Sequence, residues 1–262
     1  MDVASIADVQ LGGLLVQVID NAPSVLMAKA AGFDFLFFDG EHGDIDHTRL
    51  STLMILGNSI GLPSLVRAPQ LARADISRVL DLGATGVMVP MVETAAQARQ
   101  LVEWAKYPPC GKRSYSGGAH TAYGPSGGHE QNMTKANVST LAIAQIETVE
   151  GVSNIKEILA VEGLDAVVIG PCDLAISMGR PDEVGCDEEL ALIDTVHDAC
   201  LAAHKGFGII GGNALLARYA GSINLMVSAI DTHLLRDGFA AAAAEYQKIK
   251  SQGNEALDTR GV

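Results

Sequence analysis

IAQIETVEGVSNIKEILAVEGLDAVVIGPCDLAISMG, residues 143–179, reads as strand, helix, strand. IAQI and AVVIG are short apolar runs, rich in β-branched residues and of strand length. Between them VSNIKEILAVEG has helix-forming composition and stops at Gly163, the residue type best suited to a left-handed helix C-cap. A strand that returns through a helix joins a parallel sheet. Each apolar run also ends on a carboxylate, Glu147 after the first and Asp173 after the second.

The same unit recurs along the chain. Eight apolar runs stand out: LLVQVI (14–19), FLFFD (35–39), SLVRA (64–68), GVMVP (86–90), LAIAQIE (141–147), AVVIGP (166–171), FGIIG (207–211) and LMVSAID (225–231). Helix-like segments such as SVLMAKAAG, TAAQARQLVEWAK and NALLARYAG separate them. The runs are almost continuously apolar, as strands covered on both faces require. These features predict an α/β fold, a single (β/α)8 TIM barrel spanning residues 1–262; an open doubly wound sheet is the alternative. At 262 residues and 48% hydrophobic, the chain can bury one full core. Residues 107–137, rich in Gly, Pro and Ser, are too long for an ordinary connection and are expected to form a Gly-rich lid over the barrel mouth. Residues 251–262 are polar and expected to form a loose tail.

Charge and composition narrow the function. With 31 acidic against 18 basic residues, the net charge is −13 and no basic stripe occurs. That balance disfavours nucleic acid and anionic membrane surfaces as partners. The opening MDVASIADVQLGGLLVQVID lacks a basic segment, and Gln17 and Asp20 interrupt its apolar stretch, so a cytoplasmic protein is expected. Cys110, Cys172, Cys186 and Cys200 lack the paired short spacing of zinc or redox motifs and read as reduced thiols.

Barrel enzymes keep their chemistry at the strand exits. Asp39, Glu41 and His42 follow the second strand. They suit an acid–base set in which Asp39 orients His42. They equally suit a helix N-cap beside solvated polar residues, and spacing alone does not choose. Arg67 ends the third strand, where a guanidinium needs an anion, either a ligand carboxylate or enolate or a neighbouring Asp39 or Glu41. Glu147 and Asp173 leave adjacent strands, as a hard-cation site for magnesium or manganese demands; capping or pairing are their alternatives. Gly170 and Pro171 would allow backbone close to a ligand.

Schiff-base catalysis needs a desolvated lysine in the site, yet Lys29, Lys106, Lys112, Lys135, Lys156, Lys205, Lys248 and Lys250 all fall in helices, connections or strand entrances. If the barrel stabilises a carbanion, a metal must replace the imine. His120 and His129 read as exposed loop residues. His197 and His204 sit in a helix on the wrong side of the barrel, and Cys172 reads as a small wall residue. Gly211 and Gly212 form half of a phosphate cup, but the other half reads AIDTH, so a phosphorylated substrate is disfavoured.

GFDFLFFDGEHG, SLVRAP, LDLGATGVMVPMVETAAQA, YPPCGKR, QIET and VEGLDAVVIGPCDLAISMG together resemble the HpcH/HpaI family of metal-dependent pyruvate aldolases, over about residues 28–235. The resemblance implies a barrel of the phosphoenolpyruvate/pyruvate superfamily type and no organic cofactor. It implies a homo-oligomer, commonly a hexamer, that swaps its last helix between paired subunits. Residue by residue, Glu147 and Asp173 match the ligands of a divalent ion (Mg2+, Mn2+ or Co2+), Arg67 the arginine at the keto acid and its enolate, and His42 with Asp39 the acid/base dyad. Gln145, Gly170, Pro171 and Cys172 match positions around the pyruvyl group, and Ile210, in the FGII element, is grouped with them. The implied reaction is reversible cleavage of a 4-hydroxy-2-oxo acid to pyruvate and an aldehyde. Alternatives are an acyl-CoA lyase of the citrate lyase β-like type and a catalytically silent metal-binding barrel. Ser114 and the stretch AHTAYGPSGGH (119–129) depart from the family pattern in ways that bear on acidic acceptor aldehydes.

Overall fold

A computed structural model describes residues 6–124 and 128–258. The elements are β1 (Leu11–Val16), α1 (Ala22–Ala31), β2 (Phe35–Asp39), α2 (His47–Ser59), β3 (Ser64–Arg67), α3 (Arg73–Asp81), β4 (Gly86–Val89) and α4 (Ala95–Ala105). They continue with α5 (His129–Ser139), β5 (Leu141–Ile146), α6 (Val149–Ser153), α7 (Ile155–Leu159), β6 (Ala166–Ile169), α8 (Pro171–Ser177) and α9 (Asp187–Ala203). The last are β7 (Gly206–Ile210), α10 (Asn213–Arg218), β8 (Leu225–Ile230) and α11 (Asp231–Asp258). Every strand pairs in parallel with the next, and β8 returns to β1 with Leu11 opposite Leu225, closing an eight-stranded barrel. The doubly wound alternative is thereby excluded.

Local chemistry sets the element ends. Asn21, Asp46, Thr94 and Thr148 accept backbone N–H bonds at helix starts, Thr94 completing a capping box with Gln97. β1 begins at Leu11, three residues before its apolar run, and includes Gly12 and Gly13. A Cβ on Gly13 would lie 2.3 Å from the Phe35 ring, so the strand can pair with β2 only without one.

Strand periodicity divides the core and aims the site. Leu15, Phe35, Phe37, Leu65, Met88, Ile143 and Val168 fill the barrel. Leu36, Phe38, Val66, Val87, Ala144 and Val167 pack outward against the helices. Continuing the inward positions by twos brings Gln17, Asp39, Arg67, Gln145 and Glu147 over the barrel axis at the C-terminal ends of the strands.

One expectation fails. The segment 107–137 does not cover the mouth of its own barrel, because it joins α4 to β5 and therefore lies at the strand entrances. Arg113 Nη2 binds Asp81 Oδ1 at the end of α3 at 2.7 Å, and Lys106 Nζ binds Asp165, just before β6, at 2.9 Å. Residues 125–127 of that segment lie outside the described residues. α11 runs through the first part of the expected tail, to Asp258; residues 259–262 lie outside the described residues. Among the described residues no helix is long and apolar enough to cross a membrane.

Candidate active site

The mouth is organised around one buried ion pair. Arg67 donates from Nε to Asp39 Oδ1 at 2.9 Å and from Nη2 to Oδ2 at 2.6 Å, and its Nη1 lies 3.2 Å from Glu41 Oε2. Asp39 also accepts the Gln17 amide at 3.0 Å and the backbone N–H groups of Glu41 and His42. Burial would raise the Asp39 carboxyl, but hydrogen bonding and charge from Arg67, with Gln17 and the His42 N–H, outweigh it and hold it below the usual range.

The Asp39–His42 dyad does not form through side chains. Asp39 holds only the backbone of His42, whose ring is 62% exposed with Nε2 3.8 Å from Glu41 Oε2. A short carboxylate ending a strand can bond N–H groups two and three residues on, and the bidentate guanidinium occupies its remaining lone pairs.

Glu147 is buried at the exit of β5. Its Oε1 accepts the Met91 N–H at 2.7 Å and its Oε2 accepts from Gln145. Met91 adopts φ 55°, a left-handed conformation disfavoured for methionine, to present that N–H. Gly170 faces this carboxylate, and a Cβ there would lie 2.5 Å from Glu147 Oε2 and 2.8 Å from Gln145 Nε2. Gln145 keeps a buried Oε1 with no protein partner. Asp173 stands exposed in the first turn of α8, behind Pro171 and Cys172. Ile210, at the end of β7, shares a cavity wall with Pro171 and Cys172.

Charge at this mouth is unbalanced. Burial pushes Glu147 up, and Asp173 and Glu41 push it further against the pull of Met91 and Gln145. Burial likewise raises Glu41, opposed by Arg67 and assisted by Asp39 and Asp173. Four carboxylates thus act on one another with one guanidinium among them, an arrangement that a divalent cation would relieve. Among the described residues no three His, Cys, Asp or Glu side chains gather as a ligand set. The donors present suit an ion that takes one or two carboxylates and completes its shell with substrate and water oxygens, as magnesium does.

A profile of the HpcH/HpaI aldolase/citrate lyase family matches residues 18–218. The chain belongs to this family. The 2-keto-3-deoxy-L-rhamnonate aldolase of Salmonella paratyphi B is 34% identical over 233 residues, 86% of this chain and 85% of that protein. The crystal structure of an HpcH/HpaI aldolase from Desulfitobacterium hafniense superimposes with a TM-score of 0.87 at 29% identity, covering 92% of this chain and 94% of that one. The citrate synthase SbnG matches with a TM-score of 0.82 at 26% identity, covering 93% and 95%. Like its family, the chain is a lyase built on a (β/α)8 barrel.

Sequence reasoning missed several residues around this site. Gln17 interrupts an apolar run, and a lone amide at a strand end is a readable signal for a site residue. Asp231, read only as an acid hostile to phosphate, is fully buried and accepts the N–H groups of Gln17, Val18, Ile19 and Thr232. It fixes the loop that carries Gln17 to Asp39. Met91 gave no signal, since its contribution is a backbone N–H. His120 is half-buried rather than exposed, with Nε2 3.4 Å from the Tyr107 hydroxyl at the strand entrances.

Proposed function

We propose that this enzyme reversibly cleaves a 4-hydroxy-2-oxo acid to pyruvate and an aldehyde in a divalent-metal-dependent reaction. The observation that carries the reading is the buried Glu147, held by Met91 and Gln145 beside Asp173, with Arg67 clamped across the mouth. Similarity to a 2-keto-3-deoxy-L-rhamnonate aldolase supports a 2-oxo acid as substrate.

Glu147 and Asp173 would hold the ion. When bound, it supplies Lewis-acid polarisation of the 2-oxo acid. As the C3–C4 bond breaks, its electrons move towards the ketone oxygen, where Arg67 offers fixed positive charge. Asp39 and Glu41 hold that guanidinium in place, so it needs no reorganisation during the reaction. His42 serves as the base that takes the C4 hydroxyl proton, with its ring free in the mouth to reach substrate or a bridging water. Gln145 contributes a buried acceptor beside Glu147 and Gly170. Pyruvate then forms when C3 regains a proton.

An oligomer with α11 exchanged between subunits is part of the proposal. Leu234, Phe239, Tyr246 and Ile249 on α11 are 55–69% exposed. A groove of about 360 Å³ between the turn after α1, α10 and the strands β1 and β8 is lined by Phe33, Leu216 and Met226, where a barrel's last helix ordinarily packs. A second copy's α11 would cover apolar surface on both partners.

Pyruvate release from a panel of 4-hydroxy-2-oxo acids, with and without chelator, tests the reaction. Chelation should abolish release, and manganese, cobalt or magnesium should restore it. Full activity in excess chelator, or a borohydride-trapped pyruvyl adduct, would overturn the reading.

A further inference from the structure

We infer that the acceptor aldehyde carries an apolar substituent, seated in a cavity among the ends of β7 and β8 and helices α8, α9 and α10. This rests on the aldolase reading above and names the substrate class that the same site takes. The cavity measures about 710 Å³, within the usual range for a small-molecule site. It begins where the donor site ends: Pro171 and Cys172, directly ahead of Asp173, form one wall, and Ile210 forms another. Leu190 of α9, Leu215 of α10 and Ile230 at the end of β8 complete its apolar lining. An aldehyde whose carbonyl meets C3 of the donor near Asp173 would therefore extend its other end into an apolar chamber.

The charges along this wall argue against an anionic substituent. Arg218 lines the cavity, but its guanidinium is engaged by Asp194, with Nη2 at 2.7 Å and Nε at 3.2 Å. His233, also in the lining, carries a neutral-or-cationic imidazole rather than a fixed charge, and Asp237 one turn on is paired with Arg236 at 2.8 Å. A carboxylate or phosphate terminus would thus meet no uncommitted guanidinium or ammonium among the described lining residues. A polyhydroxylated chain fares little better, with the Ser228 hydroxyl as the one uncharged polar oxygen that a lining side chain offers. Apolar contact is the interaction that this wall supplies.

Two assays separate this inference from the reading beneath it. Deuterium exchange into the pyruvate methyl group, in metal-loaded enzyme without aldehyde, reads the donor half alone. Aldol addition of pyruvate to acetaldehyde, propanal, butanal, pentanal, hexanal and succinic semialdehyde then reads the acceptor half. Exchange should occur, and kcat/KM should rise about fourfold per added methylene until the chamber is filled. Succinic semialdehyde should fall well below butanal. Leu215→Trp, which fills the chamber, should lower the hexanal-to-acetaldehyde ratio at least about tenfold. That ratio is internal to one preparation, so partial misfolding does not imitate the result. Leu190→Lys should raise succinic semialdehyde relative to butanal. Exchange with a flat chain-length profile, or with the acidic aldehyde preferred, would overturn the apolar subsite and leave the aldolase reading standing. Absence of both exchange and addition would overturn the two together.

Discussion

Asp39 grips Arg67 through both carboxylate oxygens, at 2.9 and 2.6 Å, and the His42 ring stands outside that pair. The residue that a linear reading assigns to histidine instead fixes the guanidinium. Arg67 has its charge and direction set before substrate arrives, which is the condition for strong electrostatic stabilisation of a developing oxyanion.

Opposite consequences are expected on the two sides of this pair. Asp39→Asn leaves a buried guanidinium without its bidentate partner and should destabilise the fold by about 3–5 kcal/mol. Arg67→Ala leaves Asp39 with the Gln17 amide and two backbone N–H donors, so it should destabilise less, while turnover falls by roughly 10² to 10³. Urea midpoints beside turnover numbers check both. An Arg67→Ala enzyme of unchanged rate would make the arginine structural.

Gly170→Ala should disturb Glu147 and Gln145 directly, because the new methyl lies within 2.8 Å of both side chains. Overpacking of this order costs about 1–3 kcal/mol, which read as metal affinity is a weakening of roughly 5- to 150-fold. Manganese titration of the variant, with circular dichroism to confirm its fold, measures the effect. Unchanged affinity would remove Glu147 from the metal site.

His42→Ala should lower cleavage by roughly 10² to 10⁴ while metal affinity stays constant. Its exposed ring and the absence of a direct side-chain bond to Asp39 mean that stability should hardly move. Metal lost together with activity would make His42 a ligand; retained activity would reject it as the base.

Cys200 provides a pH signature remote from the site. Burial pushes its thiol from 9.0 up to about 12 in the folded chain. The folded state therefore holds a proton that the unfolded chain releases. The contribution is complete below pH 9 and is lost as pH rises from 9 towards 12, with a slope of about 1.4 kcal/mol per pH unit. Denaturation of wild type and Cys200→Ala across pH 8–11 should give stability curves whose difference carries this slope, since the raised Tyr107, Tyr219 and Cys172 titrate in both. Native thiol labelling should modify the exposed Cys110 and Cys172 and spare Cys200.

Local pattern alone determined much of this protein. Eight apolar runs parted by helix-forming segments announce the barrel, because strand and helix impose different periods on buried residues. Asp39, Arg67, Glu147 and Asp173 are legible at the strand exits for the same reason: a polar group ending a buried run must face a shared mouth. What tertiary structure alone decided are the partners across long stretches of chain. Asp39 chose Arg67, 28 residues away, over the ring of His42 three residues on. Asp231 reached back 214 residues to hold the Gln17 N–H. The Gly-rich segment went to the far end of the barrel, since a connection leaving the foot of α4 must start at the strand entrances. Such pairings depend on barrel closure and burial, which bring distant side chains within hydrogen-bond reach and make an unpaired charge costly, and neither condition is written in residue spacing.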